Sequence, residues 1–212
     1  NASMIMLGNA IFSNKNFLGV KKAKVHVKSR DSSPFKLDRS NNQKVYKHDH
    51  SNGHMEIQDL NPWWKTNAVG KEYEEAKARS LLKESLKFIH DRQILSFVGL
   101  RRVGKTTLLH QIIGHLLKSG IPARSILYYS FDMGEIGVED LLQKAQELAG
   151  INIKEEKSYI FLDEVQKLKG WQDKIKLVYD SNIKIKFFLS GSASLFIEKK
   201  TKESLAGRSI SF

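Results

Sequence analysis

GLRRVGKTTLL, Gly99 to Leu109, lies near the middle of a 212-residue chain and decides how the rest is read. Two glycines bracket four residues, and Lys105 and Thr106 follow at once. Glycines let main-chain N–H groups turn inward around an anion, a lysine reaches the outer phosphates, and a helix N-terminus faces them. Such a loop also needs a buried strand to deliver the chain. Ile94 to Val98 (ILSFV) is an apolar run ending in glycine, and Thr106 to Lys118 reads as a helix stopped by Ser119-Gly120 and Pro122. Both neighbours of the loop are therefore in place. The stretch predicts a phosphate cradle built from Gly99, Leu100, Arg101, Arg102, Val103, Gly104, Lys105, Thr106 and Thr107. In it Lys105 serves the β- and γ-phosphates and Thr106 a Mg²⁺ ion.

Outward from the loop, apolar runs alternate with helical patterns. Ser125 to Phe131 (SILYYSF), Tyr159 to Leu162 (YIFL) and Ile185 to Leu189 (IKFFL) read as strands; Val138 to Ala149 and Trp171 to Tyr179 read as helices. That alternation points to an α/β fold with a parallel sheet, and near-continuous apolar strands suit a sheet covered on both faces. Upstream, Lys71 to Asp91 is expected to be a helix presenting Ala78, Leu82, Leu86 and Ile89 on one side. Asn61-Pro62-Trp63-Trp64 is expected to open the ordered part, its two indoles packed against the domain that follows.

The strand YIFL ends in Asp163-Glu164. In a parallel sheet that carboxyl end lies beside the phosphate loop, where Asp163 can hold Mg²⁺ through water and Glu164 can orient and deprotonate an attacking water. A kinase would pass the phosphoryl group to another acceptor and needs no such glutamate, so the pair favours an NTPase. FFLSGSAS places Ser190 and Ser192 at the end of the neighbouring strand, as sensors of the γ-phosphate or as part of a plain Gly-Ser turn. Arg208, in LAGRSISF, precedes the onset of a fifth strand. It reads either as a surface arginine or as a catalytic arginine acting across subunits, which would make the protein a homo-oligomer.

GLRRVGKTTLL, FLDEVQKLKGW, FFLSGSASL and LAGR, in that order, resemble the AAA-type ATPase domain of an archaeal and bacterial P-loop family. The match runs from about Asn61 to Phe212. The resemblance implies a three-layer P-loop NTPase core with five parallel strands in the order 5-1-4-3-2. It implies ATP and Mg²⁺ at Gly99 to Thr107, catalysis by Glu164 and Lys105, a sensor at Ser190 or Ser192, and a GR-motif arginine at Arg208. Family members usually continue past the GR motif into a helical lid and a partner domain, neither of which falls within these residues. Slow turnover, or none, is the expectation for the part present.

The domain plan that follows has a basic segment at residues 1–54, an aromatic and helical lead-in at 55–92, and the ATPase core at 93–212. The net charge of +12 sits mostly in the first of these, with ten Lys/Arg against three Asp/Glu, while the remainder carries 25 against 20. That remainder only weakly invites DNA. The basic segment is rich in Asn, Ser and Lys and is expected to be weakly ordered. Asn1–Ser3 and Gly53–Met55 have the look of non-native junctions, and the alternating Ala23 to Lys28 looks like a lone short strand. The crowd His48 to His54 reads as a solvated linker rather than a metal site. With no cysteine there is no disulfide framework, which agrees with a cytoplasmic protein, and no apolar run approaches the ~18 residues of a membrane span. Two functions remain: an ATPase module that drives a conformational change, or a slow nucleotide-dependent switch or DNA-associated scaffold.

Overall fold

The apolar runs become the strands of one sheet. The computed structural model describes residues 35–38, 43–46, 56–150, 152–153, 155–181, 184–192 and 205–212. The expected strand at Ala23–Lys28 and the histidines at 48–54 lie outside them. Contacts divide the chain into two units, Asn1–Asn52 and Gly53–Phe212. Within the first, β1 (Phe35–Asp38) and β2 (Gln43–Tyr46) pair antiparallel. Four-residue strands are too short for periodicity to register, and the sequence did not announce them.

The second unit holds four short helices, α1 (Ile57–Leu60), α2 (Trp63–Thr66), α3 (Lys71–Glu74) and α4 (Ser80–Ser85), before the core. The core then runs β3 (Ile94–Gly99), α5 (Lys105–Lys118), β4 (Ile126–Ser130), α6 (Val138–Ala149), β5 (Ser158–Asp163), α7 (Trp171–Ser181), β6 (Ile185–Ser192) and β7 (Ser209–Ser211). The strands form one sheet in the order β4-β5-β6-β3-β7, every pair parallel. Counted from β3 this is 2-3-4-1-5, the expected order read from its other edge.

Successive side chains on a strand face opposite sides of the sheet. Leu95, Phe97, Tyr128, Phe161 and Phe188 pack with Leu109, Ile112 and Ile113 of α5. Their neighbours Leu127, Ile160, Leu162, Phe187 and Leu189 pack instead with Leu141 and Ala145 of α6 and Ile175 of α7. The result is a three-layer α/β domain with helices on both faces. The same alternation puts Asp163 and Ser190, one step beyond Leu162 and Leu189, on the α5 side, at the carboxyl ends of adjacent strands.

The expected single helix from Lys71 to Asp91 is broken. Between α3 and α4 the chain leaves helical geometry, and Leu86–Phe88 tightens into a 3₁₀ turn. Ala78 is exposed there, while Ile89 is buried. The cause is tertiary: Gln111 on α5 donates its amide to the carbonyls of Ala76 and Lys77 at 3.2 Å, and its Oε1 accepts from the Arg79 N–H at 3.3 Å. A side chain from the core thus takes up main-chain groups that a continuous helix would have bonded internally.

Trp63 is buried and Trp64 packs beside it against the domain, as expected. Their indole N–H groups both donate to Ile126 O, at 3.0 and 2.8 Å. Asn61 is also buried. Its Oδ1 accepts from Tyr128 N at 2.7 Å, and its Nδ2 donates to Tyr128 O at 2.9 Å. Because β4 borders the sheet, these side chains occupy main-chain groups that a further strand would otherwise pair.

Candidate functional site

The loop between β3 and α5 doubles back over the N-terminus of α5. Arg102 and Gly104 both take left-handed backbone, φ 64° and 90°. Gly104, directly before the first residue of the helix, adopts at little cost a conformation that strains other residues. Positive-φ positions of this kind turn main-chain N–H groups toward a common centre, the geometry of an anion nest. Leu100 and Val103 are 75% and 49% exposed, so the outer rim of the loop meets solvent. Arg101 and Arg102 are exposed as well.

Lys105 opens α5 and is only 9% exposed. Its ammonium donates to Gly99 O at 3.1 Å and Leu100 O at 2.9 Å, which folds the side chain back across the loop. Thr106 points the other way. Its hydroxyl donates to Asp163 Oδ2 at 2.6 Å. Asp163 is 2% exposed and is the hub of the site. Besides Thr106 it accepts from the Tyr128 hydroxyl at 3.0 Å, from the Glu164 N–H at 3.0 Å and, through Oδ1, from the Ser190 hydroxyl. A carboxylate this deep requires such partners, because burying an unpaired charge costs far more than these bonds return.

Glu164 follows in left-handed backbone, φ 51°, unusual for a residue with a side chain. The turn ends β5 and carries the carboxylate away from the strand. Glu164 Oε2 accepts from Gln166 Nε2, and Gln166 Oε1 accepts from the Ser192 N–H at 3.4 Å. Gln166 therefore bridges the glutamate and the end of β6.

Beneath the site lies a buried aromatic cluster. His110 stacks on Tyr73 at 3.9 Å between ring centroids and packs against Tyr128 at 4.5 Å and the edge of Trp63 at 6.0 Å. Its Nδ1 lies 2.9 Å from Thr106 O, so Nδ1 carries the proton in that bond. Burial pulls the imidazole below its ordinary pKa, outweighing the opposing pull of that bond and of Asp163. The ring that supports the Thr106 turn is therefore held neutral.

Of the residues anticipated from sequence, Lys105, Thr106, Asp163, Glu164, Ser190 and Ser192 meet at the carboxyl edge of the sheet. Arg208 does not join them. It precedes β7 at the opposite end of the strands, where its carbonyl accepts from Ile94 N at 2.8 Å. Five residue steps of β3 separate Ile94 from Gly99, a rise of about 17 Å. Its guanidinium grips Asp180 with two bonds, 2.9 and 3.1 Å, which raises the arginine's pKa and lowers that of the aspartate. Within one chain Arg208 is half of an ion pair remote from the loop. Tyr128, Gln166 and His110 were not singled out. Gln166 had a local signal, two residues past the glutamate in FLDEVQ; Tyr128 and His110 gain their partners only once the sheet order brings β4, β5 and α5 together.

The donor set fits a hard divalent cation. Thr106 Oγ1 and a buried carboxylate lie within hydrogen-bond reach of each other beside the loop, and Mg²⁺ favours such oxygen ligands while keeping several waters.

The family model described as an AAA domain matches residues 91–212. An uncharacterized protein of Methanocaldococcus jannaschii is 32% identical over 160 residues, covering 71% of this chain and 33% of that protein. An uncharacterized protein of Haemophilus influenzae is 29% identical over 134 residues, 60% of this chain and 32% of that protein. The chain thus spans about a third of the length of these relatives. Among solved structures, a DNA replication initiation factor aligns with a TM-score of 0.44 at 18% identity, covering 68% of this chain and 50% of that one. Drosophila ORC bound to DNA aligns at 0.43 and 13% identity, covering 67% and 89%.

Proposed function

Because the chain belongs to the AAA domain family, we propose that it binds ATP with Mg²⁺ at Gly99–Thr107 and hydrolyses it, and that the two nucleotide states differ in conformation. The observation that carries this reading is the bond from Thr106 to the buried Asp163, which joins the phosphate loop to the acidic end of β5 in one polar cluster.

The roles follow from position. Main-chain N–H groups of the loop hold the phosphates, and Lys105 exchanges two loop carbonyls for phosphate oxygens. Thr106 and Asp163 hold the cation, which when bound withdraws charge from the phosphate oxygens. Glu164 takes the proton from the attacking water, a role worth about 10²–10⁴ in rate. Ser190, bonded to Asp163, reports the state of that carboxylate to β6. FLDEVQ and the GR motif support the narrower likeness to the archaeal and bacterial ATPase family.

A slow nucleotide-dependent switch is the second reading, and Gln166 favours it: its amide engages the carboxylate that must act as base. Calorimetric titration with ATP·Mg²⁺ and a phosphate-release assay, with and without duplex DNA, test both. Binding with steady release, abolished by Glu164→Gln, supports the ATPase. Tight binding with release that rises on Gln166→Ala supports a switch held back by that amide. No binding by the wild-type chain overturns both.

A further inference from the structure

We propose that Arg79, outside the loop motif, is a further nucleotide-binding residue that contacts the α- and β-phosphates of the bound nucleotide. This inference rests on the nucleotide-binding reading above. Arg79 stands between α3 and α4, yet its guanidinium lies against Gly104. A Cβ added at that glycine would fall 3.0 Å from the arginine Nε and nearer still to Cζ and Nη2. The main chain that carries this exposed side chain is anchored, since the Arg79 N–H is bonded to Gln111, one turn beyond Thr107 on α5, and the same amide side chain holds Ala76 and Lys77.

The electrostatics of the position call for an anion. Gly104 precedes a helix of 14 residues, whose N-terminus carries the positive end of the macrodipole. Lys105 already sits there. A second side-chain cation at the same point is repelled by both, and among the described residues the Arg79 guanidinium has no carboxylate partner. A polyphosphate resolves the conflict, because its oxygens satisfy the dipole, the lysine and the guanidinium together. Gly104 belongs to the part of the loop that cradles the α- and β-phosphates, whereas Lys105 reaches outward to the β- and γ-phosphates. Arg79 therefore serves ATP and ADP alike.

Calorimetric titration of the full chain with ATP, ADP and AMP tests the assignment, with Arg79→Ala, Arg79→Lys and Lys105→Ala alongside the wild type. Arg79→Ala is expected to weaken ATP and ADP by roughly tenfold each, the scale of one charged hydrogen bond. Arg79→Lys retains most of the affinity, and the thermal midpoint of nucleotide-free Arg79→Ala does not fall below that of wild type. Unchanged binding of ATP and ADP by Arg79→Ala overturns the proposal while leaving the nucleotide site intact. So does a loss confined to ATP, or a loss matched by a fall in the nucleotide-free midpoint. If the wild type binds neither ATP nor ADP, the nucleotide reading itself fails and takes this assignment with it.

Discussion

Two buried lysines stand at opposite ends of the sheet, and each donates to two main-chain carbonyls. At the carboxyl end Lys105 bonds Gly99 O and Leu100 O. At the amino end Lys186, 1% exposed, bonds Phe88 O and Gln93 O and lies 5.6 Å from the centre of the Phe188 ring. By burial and partner type the two are alike. They differ in what their partners belong to. The carbonyls that Lys105 holds sit in a loop whose rim is open to solvent, so phosphate oxygens can replace them. Those that Lys186 holds, Phe88 O and Gln93 O, flank the turn that leads into β3, in which Ile89 is buried and His90 to Gln93 are exposed. Burial pulls the Lys186 pKa down to about 8, with Asp91 opposing and Lys157 assisting. The lysine at the amino end ties down the approach to β3, and the one at the carboxyl end stands in the loop proposed to hold phosphate.

The largest expected effect separates them outright. Lys105→Ala should cost at least about a hundredfold in ATP affinity, since it removes a cation making more than one charged bond to phosphate. Its nucleotide-free melting curve should stay close to wild type. Lys186→Met should do the reverse, leaving affinity unchanged while destabilising the fold by about 2 kcal/mol, the scale of buried acceptors left unpaired. Titration and chemical denaturation of the two proteins measure both. Equal loss of affinity in the two would erase the distinction.

Next in size, Glu164→Gln should keep ATP affinity and lower phosphate release by about 10²–10⁴. Asp163→Asn should instead weaken Mg²⁺-dependent binding, because the buried hub loses its charge toward the cation. Both changes lie at the carboxyl end, and neither should alter the response of the amino end to pH.

That response is the third expectation. A lysine whose folded pKa is about 8 and whose ordinary value is 10.5 loses its proton first in the folded state. Between those limits the unfolded chain binds more protons, so stability gains a contribution that rises from about pH 8 toward 10.5 and is absent below it. Denaturation across this range should show that contribution in wild type and lack it in Lys186→Met. A wild-type curve parallel to that of the variant would mean the ammonium is not desolvated.

Arg208→Ala is expected to have the smallest effect, with ATP affinity unchanged, since its ion pair with Asp180 is solvent-facing and remote from the loop. Mixing Arg208→Ala with Glu164→Gln protein checks this further. Recovery of turnover in the mixture would place Arg208 on a neighbouring chain's phosphates and give the amino end a catalytic part.

The loop, the alternation of strands and helices, and the acidic end of β5 were legible because each rests on local rules: glycine spacing, periodicity, and an apolar run before Asp163. The sheet order was legible only through the likeness of four motifs taken in sequence. What escaped needed partners distant in the chain. The break between α3 and α4 is imposed by Gln111, more than thirty residues on, against a helical pattern that was locally sound. Tyr128 lies in an apolar strand like any other until its hydroxyl meets Asp163, and Arg208 gains its partner Asp180 from α7, 28 residues away.

The side chains that cover β4 have a consequence for the protein's life in a concentrated solution. A bare border strand recruits strands from other molecules and seeds aggregates. Here Asn61 imitates the paired amide of a neighbouring strand, and the two indoles fill the next acceptor along. The residues proposed to act on nucleotide and those that cover the sheet edge therefore have separate addresses in the sequence. A chain shortened past Trp64 would keep Lys105, Asp163 and Glu164 and yet offer Ile126 and Tyr128 to the next copy it met.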